Sequence, residues 1–170
     1  MRFFIYAFVT TWLVIQPAAP SFRSDWSVVL PADGWKGFYT LCSRPASGLT
    51  GYWAPDPETI RNLEADLAVP LHDALLREVH DASWRPATHD YYRQYIGIQA
   101  GGRHIVYVNG FHRSYIERVT GARPGSTKLT PDWRTRLVNM CDGGSSYFGA
   151  EYDPATRKVS NIYFNGGGTN

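Results

Sequence analysis

The sequence offers few residues for metal or redox chemistry. It contains two cysteines, Cys42 and Cys141, and neither has a second cysteine or a histidine at a zinc-ligand spacing. The histidines form no H-x-H or H-E-x-x-H motif. Because no catalytic or cofactor motif stands out elsewhere, we expect no metal and no cofactor. Whether the protein is an enzyme stays open, with a non-catalytic role favoured.

Net charge and long apolar runs are also scarce. The formal net charge of +2 argues against a nucleic-acid partner. The one long apolar run, residues 3–15, has the length of a signal-peptide core and is short for a membrane span. We therefore predict a signal peptide at residues 1–21, a single domain at residues 22–170, and a periplasmic or secreted protein without a membrane span after cleavage. A buried N-terminal strand or a retained anchor is the alternative.

In an exported chain the two cysteines pair most simply with each other. A Cys42–Cys141 disulfide closes a loop of about 100 residues, and the loop-entropy model assigns about 4–5 kcal/mol of stability to such a loop. The disulfide is expected to hold residues 22–53, a segment rich in Pro, Gly and Ser, onto the rest of the domain. Two short strands are predicted in that segment, at residues 26–30 and 38–42.

A helix is predicted to begin after Asp56, which is suited to cap it, with Pro57 at the first helical position. Apolar residues then recur at spacings of three and four on one helical face: Ile60, Leu63, Leu67, Leu71 and Leu75. Pro70 removes one helical hydrogen bond and clashes with the preceding turn. We therefore predict two helical pieces, residues 57–68 and 70–79, that pack on a sheet.

A hairpin is predicted from residues 91–100 and 103–112, which flank a Gly101-Gly102 turn. This register pairs apolar residues on one face: Ile98 with Ile105, Ile96 with Tyr107, and Tyr92 with Phe111. It also pairs Gln94 with Asn109 on that face. The two amides either satisfy each other within the core or mark a polar pocket.

Three more strands are predicted near the C-terminus, at residues 137–141, 147–153 and 159–165. A five-residue loop at 154–158 pairs Phe148 with Phe164 and Ala150 with Ile162. The order of elements predicts an α+β fold in which a kinked helix packs across an antiparallel β-meander. Cystatin-like folds have this arrangement, which serves only as an analogy.

The run from Cys141 to Pro154 (CDGGSSYFGAEYDP), followed by Phe164-Asn165-Gly166, resembles a pattern in an uncharacterised family of small exported proteobacterial proteins. The YIGI and YVN segments of the predicted hairpin are similar to the same family. The resemblance covers roughly the last 80 residues and implies export and a fold, without an activity or site residues.

A candidate binding surface lies on the other face of the hairpin. His104 and His112 share this face with Tyr91, Arg93 and Tyr95, and we expect the face to be open. Such a face is either a ligand or general-base surface or the solvated side of an antiparallel sheet.

The long basic connection that follows, residues 113–136, carries Arg113, Arg118 and Arg123. It either meets an acidic protein partner or an anionic envelope polymer, or is a solvated loop.

Three functions follow from these features. The first is a small, disulfide-stapled, non-catalytic binding protein, such as an inhibitor or immunity-type partner of an exported enzyme. The second is an envelope hydrolase with a scattered site: His104, His112, Asp142 and Ser145. The third is a small-ligand carrier with an aromatic pocket between helix and sheet.

Overall fold

The computed structural model describes residues 25–31, 42, 48–79, 86–114 and 133–165. This part of the chain forms an α-helix packed on a mostly antiparallel sheet of six strands, which confirms the α+β prediction. The predicted signal peptide lies outside the described residues, as does the predicted strand at 38–42 apart from Cys42. Within the described residues, no helix has the length and apolar character needed to cross a membrane.

Helix α1, Pro57–Glu78, begins where the sequence predicts. The Asp56 carboxylate accepts a hydrogen bond of 2.7 Å from the Thr59 backbone N–H, and this bond lowers the pKa of Asp56. The predicted break at Pro70 is wrong, because the helix continues through it. A helical proline costs about 3 kcal/mol. Burying each leucine of the apolar face gains about 1.5–3 kcal/mol, so four fully buried leucines outweigh the proline: Leu63, Leu67, Leu71 and Leu75.

The central hairpin joins strands β3, Tyr91–Ala100, and β4, Arg103–His112, in the predicted register. All the predicted cross-strand pairs are confirmed, including Gln94 with Asn109. Gly101 and Gly102 both have positive φ, 56° and 74°, which a primed two-residue turn requires.

Two shorter strands share the outer edge of β3. Strand β1, Ser27–Val29, runs parallel to it and confirms part of the predicted strand at 26–30. Strand β2, Leu49–Trp53, runs antiparallel beside the other end of β3 and was not predicted. Gly97 allows the close approach of β2, since an added Cβ would lie 2.1 Å from the Trp53 carbonyl oxygen.

Strands β5, Gly144–Asp153, and β6, Lys158–Asn165, complete the sheet. The Phe148–Phe164 pair is confirmed. The Ala150–Ile162 pair is wrong, because the register shifts by one residue between Gly149 and Glu151. The turn therefore has four residues, 154–157, rather than five.

Both faces of the central sheet are covered, so the predicted open face is wrong. Helix α1 packs on the face that carries Tyr91, Tyr95, Val106 and Val108. The opposite face, with Ile96, Ile98, Ile105 and Tyr107, is covered in part by irregular residues that include Leu137. Tyr92 and Phe111 on that face contact the Trp133 ring edge-on.

The Cys42–Cys141 disulfide is present. Cys141 lies in a bend rather than at the end of a strand, because residues 137–140 have no regular secondary structure. The predicted strand at 137–141 is therefore wrong. The disulfide is compatible with a periplasmic or extracellular protein.

Candidate functional site

A cleft of about 270 Å³ lies between helix α1 and the outer edge of β3. The helix contributes Leu67, Ala68 and Leu71 to its walls, and Trp26 and Tyr91 add aromatic rings. The short 3₁₀ turn Thr88–Asp90, which leads into β3, closes one side. The cleft is slightly smaller than most small-molecule pockets, which measure about 300–1,000 Å³.

A buried ion pair lies at this cleft. Arg93 Nη1 donates a hydrogen bond of 2.6 Å to Glu64 Oε2, and Arg93 Nη2 donates one of 2.9 Å to the Thr88 carbonyl oxygen. Both charged side chains line the cleft, and each is only 14% exposed. Burial raises the pKa of Glu64 and outweighs the opposing attraction of Arg93.

Two polar atoms of this pair lack hydrogen-bond partners in the described part of the chain: Glu64 Oε1 and Arg93 Nε. Both atoms are buried. Tyr95, two residues further along the same face of β3, also has a buried hydroxyl without a partner there, but it does not line the cleft. Buried polar atoms are almost always paired, so the two unpartnered atoms of the ion pair indicate that a further group completes the site.

Sequence reasoning selected Arg93 and Tyr95 but missed Glu64. The apolar period of the helix draws attention to Leu63 and Leu67 and treats the intervening acid as solvated. Arg93 itself was a usable signal. An arginine on a strand face that a helix covers needs a carboxylate from that helix, and this would have indicated Glu64.

Tyr91 and His112 lie near this end of the sheet but are engaged elsewhere. The Tyr91 hydroxyl donates a hydrogen bond of 2.6 Å to the Ser145 carbonyl oxygen, and burial raises the pKa of Tyr91. His112 is 8% exposed, and its Nδ1 accepts a hydrogen bond of 3.2 Å from the Ser114 backbone N–H. The two rings meet edge-on, with centroids 5.5 Å apart.

His104 lies far from this region. It is exposed near the β3–β4 turn, where its ring stacks on Trp53 with centroids 5.0 Å apart. Eight residues of extended strand separate it from His112, a distance of roughly 25 Å. The predicted hydrolase site of His104, His112, Asp142 and Ser145 therefore does not form as one site, because general-base chemistry needs contact distances.

The three arginines predicted to bind an acidic partner are only partly described. Arg113 is 43% exposed, and its Nη2 lies 3.2 Å from Asp90 Oδ1. Arg118 and Arg123 lie outside the described residues.

The buried amides Gln94 and Asn109 belong to the core rather than to a pocket. Gln94 Oε1 accepts 2.9 Å hydrogen bonds from Asn109 Nδ2 and from the Val138 backbone N–H. Gln94 Nε2 donates to the carbonyl oxygens of Trp133 and Arg136. All four hydrogen-bonding positions of this amide are used, which leaves none for a ligand.

Within the described ranges, no group of three or more His, Cys, Asp or Glu side chains is placed to hold a metal ion. Comparison of the chain with protein-family models, with curated proteins and with solved structures finds no match.

Proposed function

We propose that this chain is a small, exported, non-catalytic binding protein and that its ligand occupies the cleft between α1 and β3. The observation that carries the proposal is the cleft of about 270 Å³ with a buried Arg93–Glu64 pair and unpartnered polar atoms beside it. Export is supported by the disulfide and by the signal-like N-terminus and family resemblance of the sequence.

The engaged side chains favour binding over catalysis. Glu64 is paired with Arg93 at 2.6 Å, and the Tyr91 proton is donated to a carbonyl oxygen. His112 Nδ1, the nitrogen that accepts from Ser114, is occupied. A carboxylate held by an arginine at 2.6 Å is a poor general base, so the pairing of Glu64 favours a binding role for the cleft.

The cleft can be tested by filling it. Ala68 lines the cleft, so Ala68→Trp should close it, whereas Ala65→Trp makes the same change at an exposed position of the helix. Amide chemical shifts would be followed while glucose, glycine, methylammonium or acetate is added. We expect saturable shifts at Leu67 and Thr88 in the natural protein and in Ala65→Trp, and none in Ala68→Trp. If no probe produces such shifts in the natural protein, the small-ligand proposal is wrong.

A second candidate is recognition of a protein, as by an inhibitor or immunity-type partner. An apolar groove of about 420 Å³ adjoins the cleft and shares Ala68 and Thr88 with it. Val69 in this groove is 68% exposed, so it offers apolar surface to a partner. An acidic protein or an anionic envelope polymer stays the proposed partner chemistry for Arg113, Arg118 and Arg123. Under this alternative, Val69→Asp would abolish partner binding, and glucose would cause no saturable shifts in the natural protein.

A further inference from the structure

We infer that the cleft selects a neutral polyhydroxy compound of the monosaccharide class. This inference rests on the proposed function, because it names the ligand chemistry of the same cleft. The arrangement that carries it is a charge-balanced, largely buried pair with one unpartnered acceptor and one unpartnered donor.

The first step concerns charge. Arg93 and Glu64 neutralise each other at 2.6 Å, and both are largely removed from water. A ligand with one net charge would leave that charge uncompensated in a buried site, which is strongly unfavourable. A lone carboxylate would be attracted by Arg93 but repelled by Glu64. A lone ammonium would be attracted by Glu64 but repelled by Arg93. The balanced pair therefore favours a ligand group with no net charge.

The second step concerns hydrogen bonding. Glu64 Oε1 needs a donor and Arg93 Nε–H needs an acceptor. A hydroxyl group donates one hydrogen bond and accepts two, so one hydroxyl or two neighbouring hydroxyls meet both needs. Glu64 and Arg93 line the cleft, and binding requires that their side chains turn so that these two buried atoms face the ligand.

The cleft favours hydroxyl groups over a zwitterion. A zwitterion such as an amino acid carries the same donors and acceptors, but two full charges must leave water, at several kcal/mol each. A hydroxyl loses much less on transfer. The walls agree with a sugar, because Ala68 and the Trp26 ring, which are only partly buried, offer apolar surface to its C–H groups.

The test compares dissociation constants of glucose, glycine, methylammonium and acetate, measured by amide-shift titration on the full chain. We expect glucose to bind tightest in the natural protein, with an affinity that does not change between low and high salt. Ala68→Trp should abolish glucose binding, whereas Ala65→Trp, at an exposed position of the helix, should leave it unchanged.

Charge-changing variants provide the second arm. Glu64→Gln leaves Arg93 unbalanced, so acetate should gain at least about tenfold relative to glucose; Arg93→Met should favour methylammonium in the same way. If glycine, acetate or methylammonium binds best in the natural protein and Ala68→Trp blocks it, the inference is overturned while the proposed function stands. If nothing binds, both are overturned.

Discussion

Removing Arg93 should destabilise the protein by an amount that depends on pH. Arg93→Met leaves the Glu64 carboxylate buried, 14% exposed and without its partner. Breaking a buried ion pair in this way costs about 3–5 kcal/mol. The carboxylate can instead take up a proton and lose its charge, which limits the loss of stability. Protonating it at pH 7 requires about 3.7 kcal/mol, from a reference pKa of about 4.3 and 1.36 kcal/mol per pH unit.

We therefore expect Arg93→Met to lower the free energy of unfolding by about 3–4 kcal/mol at pH 7 and by about 1 kcal/mol at pH 5. Glu64→Gln should cost about 3–5 kcal/mol at pH 5, since an arginine does not give up its proton, and less at pH 7, because the natural protein loses stability as Glu64 ionises. The double variant should cost less than either single variant, because both buried charges are gone.

Urea unfolding at pH 5 and pH 7, with midpoint and slope fitted together, measures all three variants. Arg103→Met is the matched control, because Arg103 is 66% exposed in its 3.3 Å pair with Asp153. It should cost less than about 1 kcal/mol at either pH. The reasoning is refuted if Arg93→Met costs the same at both pH values, or if the two single costs add in the double variant.

Three further predictions concern stability. Burial raises the pKa of Glu64, so its contribution to stability is fully present below the ordinary glutamate pKa and is lost as pH rises through the folded pKa. The urea midpoint of the natural protein should fall over this pH range, and Glu64→Gln should remove this part of the pH dependence. Arg157 has φ 53° and forms two 2.9 Å hydrogen bonds to Asp66. Arg157→Gly and Arg157→Ala both lose these bonds, but only alanine keeps the backbone strain of a positive φ, so Arg157→Gly should melt at the higher temperature. Reduction of the disulfide should loosen the β1 and β2 segments before the β3–β4 hairpin, and unchanged hydrogen-exchange protection there would count against this.

The elements that the sequence predicted well have local causes. The β3–β4 register follows from two glycines and the apolar pattern, and the helix start follows from Asp56 and Pro57. Strand β2 has no such signal, because it is short and contains Gly51. It forms because β3 offers an unpaired edge and a glycine, Gly97, where the Trp53 backbone passes.

The face that the helix covers could not be decided from periodicity. Strand β3 carries large apolar residues on both faces, Tyr91 and Tyr95 on one and Tyr92 and Ile96 on the other. A strand with this pattern is buried on both sides, so reading Arg93 as solvated was wrong. The cleft was missed for the same reason, because it exists only where helix α1 meets that face of the sheet.

Gln94 links the predictable and the unpredictable parts of the fold. Its pairing with Asn109 followed from the register, but two amides that pair with each other use only part of their hydrogen-bonding capacity. The remaining hydrogen bonds go to the backbone of residues 133–138, an irregular segment with no strand to pair with. Backbone that lies on a sheet without joining it must find side-chain partners. A buried amide pair on an apolar strand face therefore predicts that an irregular segment, rather than a helix, covers it.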